Sequence, residues 1–414
     1  METAPARGRQ RLAPVTPPGR GIAALPGRAT TGIVRATARR AVDVAREQRF
    51  AISVYVGSRI LLLVVALADS PLQHRSFASE LTNWDGFWYT NLASRGYPTH
   101  VSHLQTTLGF FPFYPMVMWL VEHVTFCSYA VSGLIIAGVG GLLATVLVER
   151  LCAQWWGPQS ARRAALLFCA FPGSIVFSMD YSEGVLIPLV AGCLLALRSR
   201  RWVLAGVLAG VATAVGPDAI AIVLACAVAS AIELRAAGWR DASARRSLVA
   251  PLLAPVGIVA FGIFLWVWTG TPLATFRAQH YGWGERTDPL ALFHQARTLA
   301  SELSLKHFDY HAVNLNIIVG LAGALVLVVG VVLLLRRPRL VSPAAIAWTL
   351  GVGFLAVTSE YTPPNPRLLL TAFPAVLVIA HRTHGRSFRW VLGASTVLLV
   401  VMSAITYVGI ALRP

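Results

Sequence analysis

The chain has 414 residues, of which 56% are hydrophobic and only 13% are charged. That balance, with a mean hydropathy of +0.63, excludes an ordinary soluble domain. The net charge of +17 comes almost entirely from arginines set in short stretches between apolar runs, Lys306 being the only lysine. This is the asymmetry of a polytopic membrane protein and not of a nucleic-acid-binding face.

Residues 1–48 are rich in Pro, Gly, Ala and Arg and contain no apolar stretch long enough for a secretion signal. They read as a disordered, basic, cytoplasmic tail. A weak helical periodicity from Gly32 to Arg49 (Val34, Ala38, Ala41, Ala45), with arginines between, leaves two readings open, a solvated tail or a segment lying on anionic headgroups. Residues 49–414 form one transmembrane domain. Apolar runs at 50–68, 129–149, 162–178, 184–198, 202–216, 218–235, 248–269, 313–335, 343–359, 367–381 and 390–412 predict an all-α bundle of about eleven spans. The run from Phe110 to Val124 is broken by Pro112 and Pro115. It is expected as an interfacial or re-entrant helix in the first outer loop.

The charges orient this map. With the N-terminus cytoplasmic, the inner segments hold 26 of the 35 basic residues and six of the 18 acids, and eight of the ten histidines fall outside. Counting 110–124 as a span would invert every later loop and place Arg150, Arg162 and Arg163 outside, against the positive-inside rule. Polar chemistry therefore gathers on the non-cytoplasmic face, across loops distant in sequence.

The first of these loops contains Asn83-Trp84-Asp85-Gly86-Phe87-Trp88-Tyr89, one carboxylate among four aromatic side chains. A carboxylate at a membrane boundary is a functional-site hypothesis by default. The plainer reading is a helix cap at Asp85 with its aromatic neighbours in the interfacial belt. Ser178-Met179-Asp180-Tyr181-Ser182-Glu183-Gly184 and Gly216-Pro217-Asp218 form polar outer turns. The long loop 270–312 contains His280 and Glu285, whose plainer reading is that of solvated residues. Arg367 closes the proline-rich stretch Thr362-Pro363-Pro364-Asn365-Pro366 at the mouth of a span. A guanidinium there defies the positive-inside bias and suits an anionic partner, either a carboxylate or a lipid phosphate. Arg59 lies inside the first span, where a buried pairing within the bundle is expected. The five cysteines are scattered with no CxxC or Cys/His pair, so neither a disulfide framework nor a zinc site is expected. No phosphate loop, Ser-His-Asp order or dinucleotide fingerprint is present.

Trp84-Asp85-Gly86 with Tyr89, Ala93, Gly96 and Tyr97, followed by Phe110-Phe111-Pro112 and Tyr114-Pro115, resembles the PIG-V-like mannosyltransferases, multi-span enzymes of the GT-C class. Tyr181-Ser182-Glu183 looks like a second segment of that family, and Asn365-Pro366-Arg367 with Phe373-Pro374 like a third. The resemblance implies inverting transfer of mannose from a polyprenyl-phosphate donor to an acceptor hydroxyl; the acceptor, whether glycan, glycolipid or protein, does not carry over from it. It implies Asp85 as general base and no cofactor beyond the lipid-linked donor. Trp84, Trp88, Tyr89, Asp180, Tyr181, Glu183, His280, Glu285 and Arg367 are the candidate substrate-binding residues. Family members often carry an arginine where this chain has Ala214-Val215-Gly216-Pro217-Asp218, and its absence shifts donor-phosphate binding onto Arg367. The alternatives are a transporter or flippase of a lipid-linked sugar, or a GT-C enzyme using another sugar.

The charge map makes a direct forecast. Single cysteines introduced as Asp85→Cys or Glu285→Cys should react with a membrane-impermeant thiol reagent in intact cells. Labelling only after lysis would invert the orientation.

Overall fold

The computed structural model describes residues 48–73, 81–303, 314–337, 340–360, 363–408 and 412. The tail expected at 1–48 falls almost wholly outside them. The described residues are overwhelmingly helical, and the β contact among them is an isolated bridge between Thr287 and Ser359.

Among the described residues six helical runs are long and apolar enough to cross a membrane, or seven if the bent pair at Phe171 counts as one span. The six are α1 (Arg49–Asp69 of a helix reaching Gln73), α4 (Tyr129–Trp156), α8 (Pro217–Ala237), α9 (Ala242–Thr269), α11 (Leu315–Leu335) and α15 (Gly385–Tyr407). Between α1 and α4 lie α2 (Asp85–Arg95) and the short α3 (Phe113–Thr125), which takes the place expected of the interfacial helix. After α4 come α5 (Pro158–Ala170), α6 (Glu183–Arg198) and α7 (Trp202–Ala212), and α10 (Ala291–Glu302) follows α9. The chain closes with α12 (Pro343–Thr358), α13 (Pro366–Thr371) and α14 (Phe373–Arg382) ahead of α15.

The count differs from eleven because several expected spans are broken or short. The run 162–178 bends by 71° between α5 and the 3-10 segment Pro172–Ser178. Phe171 is extended (φ −70, ψ 138), as a residue before proline prefers, and Pro172 has no amide proton to continue the ladder. The run 367–381 splits at Ala372 into α13 and α14. The carbonyl of Thr371 exposed by this break accepts a hydrogen bond from the buried indole of Trp348 at 3.0 Å. Helices α6 and α12 have 16 residues each and α7 has 11, less than the roughly 20 needed to cross the hydrocarbon alone.

The bundle's tightest crossing sets α4 against α6. A side chain at Gly140 would collide with the backbone carbonyl of Gly184, and one at Gly184 would meet the Ala137 Cα at 2.6 Å. Small residues are what allow two membrane helices to approach backbone to backbone. On the other side of α4, Tyr55 of α1 donates a hydrogen bond to the Gly138 carbonyl at 2.6 Å. Arg59 finds its buried partners on the broken segment, donating to the Ser174 carbonyl (2.6 Å) and to Ser178 Oγ (2.9 Å) beneath the rings of Tyr55 and Phe177. Its partners are hydroxyls, a carbonyl and aromatic faces, and it has no ion pair among the described residues. These contacts fix the stretch 172–184 from both sides, and that stretch carries Asp180 and Glu183.

Replacing Gly140 by valine should force α4 and α6 apart. Overpacking of this kind costs about 1–3 kcal/mol, visible as a lower unfolding midpoint in detergent. A midpoint equal to the parent's would show that the crossing is looser than described.

Candidate functional site

Asp85 opens α2 as its first residue and is not the cap. The cap is Trp84, held at φ 62 and ψ −122, a conformation that costs a non-glycine residue about 1–3 kcal/mol and gathers at functional sites. This turn leaves the Asp85 carboxylate free of capping duty. It forms an ion pair and a short hydrogen bond with Arg367 Nη1, across 282 residues of chain. The Asp85 side chain is 28% exposed and that of Arg367 20%, so the pair sits at an opening and not in the sealed interior.

Arg367 is positioned by the start of α13. Asn365 caps that helix, its side chain accepting a hydrogen bond from the Leu368 amide, and Pro366 occupies the first turn, where the missing amide proton costs nothing. Arg367 Nε stands 3.4 Å from Glu183 Oε1, and the guanidinium lies over the Tyr181 ring, 5.3 Å from its centroid. Asp218, in the first turn of α8, lies within electrostatic range of both Arg367 and Glu183. One cation is therefore set among three carboxylates, and Glu183 Oε2 is buried without a hydrogen-bond partner. The Asp85 amide approaches Tyr181 Oη at 3.4 Å, tying the first loop to the second.

Asp180 is fully buried beside this cluster. Gly86 brings α2 so close that a Cβ there would meet the Asp180 Cβ at 2.9 Å. Tyr114 Oη donates to Asp180 Oδ1 at 2.7 Å and Thr90 Oγ1 to Oδ2 at 3.1 Å. Burial pushes the Asp180 carboxyl up to about 7, the two hydrogen bonds hold it down, and the Asp85 charge adds a further upward push. Its carboxylate faces inward, which makes it a support for the cluster and not part of its open surface.

The aromatic residues divide between wall and interior. Trp88 stacks on Phe110 (6.1 Å, 17°) and meets Trp283 edge-on at 5.0 Å. Tyr89 is buried, donating to Ser182 Oγ at 2.9 Å. Trp84 packs on the main core, its indole nitrogen buried without a partner.

Two residues singled out from sequence stand elsewhere. His280 lies on a π-helical turn at Ala278–Gly282, parallel to Phe276 and edge-on to Tyr281. Glu285 accepts hydrogen bonds from Ser359 Oγ at 2.9 and 3.0 Å. The Asp288 amide donates to the Thr358 carbonyl (2.7 Å) and the Glu360 amide to that of Arg286 (3.0 Å). Glu285 thus clips the long loop to the strand-like segment that leads toward Arg367.

Of the supporting residues, Thr90 was not identified from sequence, while Tyr114 and Asn365 stood in family-like segments without a role assigned to them. The Tyr114-Pro115 segment pointed at Tyr114 without revealing its partner. Among the described residues no group of three or more His, Cys, Asp or Glu side chains is arranged to hold a metal ion. A carboxylate and a guanidinium at an opening, backed by aromatic faces, can accept a proton, bind an anion and stack on a sugar ring.

No protein-family model and no curated protein matches the chain. Solved structures do. The chain is similar to ArnT from Cupriavidus metallidurans bound to undecaprenyl phosphate, with a TM-score of 0.50 at 17% identity, covering 82% of this chain and 62% of that one. Against apo ArnT from the same organism the TM-score is 0.48 at 16% identity, with the same coverage of each chain. Against the Archaeoglobus fulgidus oligosaccharyltransferase in complex with Zn and sulfate it is 0.42 at 15% identity, covering 83% of this chain and 53% of that one. The chain thus spans less than two thirds of the length of these structures. Its fold is that of the GT-C membrane glycosyltransferases, and it is a multi-pass membrane protein.

The Asp180 environment gives a pH signature. A carboxyl raised from 3.8 to about 7 on folding binds more protons in the native state over that interval. Its contribution to stability is full below 3.8 and is lost as pH rises through about 7. The unfolding midpoint in detergent should therefore fall across this window, and Asp180→Asn, which cannot ionise, should flatten part of the fall. An unchanged slope in the variant would show that Asp180 is ionised throughout.

Proposed function

We propose that the protein is a membrane glycosyltransferase that moves mannose from a polyprenyl-phosphate donor to an acceptor hydroxyl, with inversion, on the non-cytoplasmic face. The observation that carries this reading is the convergence of Asp85, Glu183 and Arg367, from the three segments that resemble PIG-V-like mannosyltransferases, at one opening of a GT-C fold.

In the proposed reaction Asp85 accepts the proton of the acceptor hydroxyl as that oxygen forms its bond to the anomeric carbon. The bond from the anomeric carbon to the donor phosphate oxygen breaks, and its electron pair leaves with polyprenyl phosphate. Arg367 stabilises the charge gathering on that leaving group. Because Arg367 is paired with Asp85 in the resting site, an arriving phosphate competes with the carboxylate for the same guanidinium. Donor binding then releases the Asp85 oxygen that is to act as base. Glu183 keeps the guanidinium in place during the exchange, and Trp88 offers a face for a sugar ring.

Membranes containing the protein should transfer radiolabelled mannose from polyprenyl-phosphate-mannose to an endogenous acceptor. Asp85→Asn keeps the shape of the side chain but cannot take the proton, and should lower kcat by about 10²–10⁴-fold with the protein still inserted. Arg367→Lys should raise the KM for donor through loss of the planar fork. Near-parental turnover by Asp85→Asn returns Asp85 to a structural role. Labelled donor carried across the bilayer without any transfer product would favour a transporter.

A further inference from the structure

The other end of the bundle carries a second polar feature. From Gly133, whose backbone adjoins Asp180, α4 runs 23 residues to Trp156, roughly 35 Å at the helical rise. There the ends of α4, α11 and α14 border a shallow cleft, with enclosed room for about one water, lined among others by Trp156, Leu333, Val378, Arg337, His381 and Arg382.

The charges around it do not balance. The charged groups facing His381 are Arg382, Arg163, His384 and Arg337, with no carboxylate among them. None of these arginines forms an ion pair among the described residues. Arg163 is committed to bracing α5 against α14, with Nε donating to the Ala380 carbonyl (3.0 Å) and Nη2 to Ser160 Oγ (3.2 Å). Arg382 is not committed, because its Nε is buried with no hydrogen-bond partner. A buried guanidinium nitrogen without an acceptor demands an explanation such as a missing ligand. The positive-inside rule accounts for arginines at this end but not for one whose donor is buried and unused.

We propose that the mouth of this cleft binds the phosphate headgroup of an anionic phospholipid, with Arg337 and Arg382 on the phosphate and an acyl chain along the exposed Leu340. A lipid suits the site better than a free anion because six of its nine lining residues are apolar and it opens where three apolar helices end. Basic pockets between membrane helices recognise anionic headgroups by this chemistry.

The full-length protein in detergent would be titrated with phosphatidylglycerol or phosphatidylcholine and the bound lipid read by native mass spectrometry. Arg235, exposed at the end of α8 that leads away from Asp218, serves as a charge-matched control. Each arginine contact should be worth about five-fold in phosphatidylglycerol affinity. Arg337→Gln with Arg382→Gln should therefore weaken binding by about 25-fold, while Arg235→Gln and binding of phosphatidylcholine stay unchanged. If the double variant does not fold, Arg337→Gln alone carries the test, since that side chain is exposed. Equal phosphatidylglycerol affinity in variant and parent, or an equal loss in Arg235→Gln, overturns the site. Displacement of bound phosphatidylglycerol by millimolar inorganic phosphate would overturn the lipid and leave a free-anion site.

Discussion

One guanidinium shared between carboxylates is the interaction on which the arrangement of this protein depends. A charge withdrawn from water toward a bilayer costs several kcal/mol unless it is paired and hydrogen-bonded. Arg367 and Asp85 are each only partly exposed, and each offsets that cost for the other. The pairing is possible only if α13, the turn before α6 and the start of α2 reach the same point. The α4–α6 crossing at Gly140 and Gly184 places the start of α6. The break at Pro172, fixed by Arg59, turns the chain back toward it. The cap at Asn365 and the clip between Glu285 and Ser359 direct the approach to Arg367. Glycines, prolines and a cap serve one electrostatic contact.

The distribution of charge around that contact limits what the site can bind. Asp85, Glu183 and Asp218 surround a single arginine, so a phosphate entering the resting cluster meets more negative than positive charge. It can be accommodated only by displacing a carboxylate from Arg367 or by finding a carboxylate protonated. Glu183 is the more enclosed partner, with 7% of its side chain exposed against 28% for Asp85. Asp85 is therefore the one free to move. This gives the two acids different duties, as an exchangeable partner and a fixed one, although both belong to the same ion-pair network.

The sequence made the membrane character and the individual polar residues legible, because apolar length and charge asymmetry are local properties. Asp85 and Arg367 each stood out as a charge in a costly place. Their contact was not legible, since nothing local links residues 282 apart. Sequence offered a carboxylate or a lipid phosphate as partner of Arg367 and weighted it toward the phosphate, and the resting structure contains the carboxylate. The span at 162–178 was drawn through Phe171-Pro172 on hydropathy alone, although the proline already carried the signal for the 71° bend. Asp180 drew attention as a polar turn residue, but Tyr114 and Thr90 come from α3 and α2, and only packing brings them to it. His280 and Glu285 looked alike in sequence, as polar residues in an aromatic loop. They separate in the fold because Ser359 lies within reach of one and Phe276 stacks on the other.

The two ends of the bundle solve the same problem with opposite means. At the Asp85 end a cation is stored against acids of the same chain, so the site is satisfied at rest and a ligand must compete for the guanidinium. At the far end the Arg382 Nε has no hydrogen-bond partner among the described residues, and in the proposed site an anion is drawn from the surroundings. A site that must bind and release its ligand in each cycle gains from an internal competitor, which weakens the bound state and speeds departure of the anionic product. A site that holds a structural lipid gains from having none. On the two proposed readings, the difference in pairing between Arg367 and Arg382 separates an exchangeable ligand from a resident one.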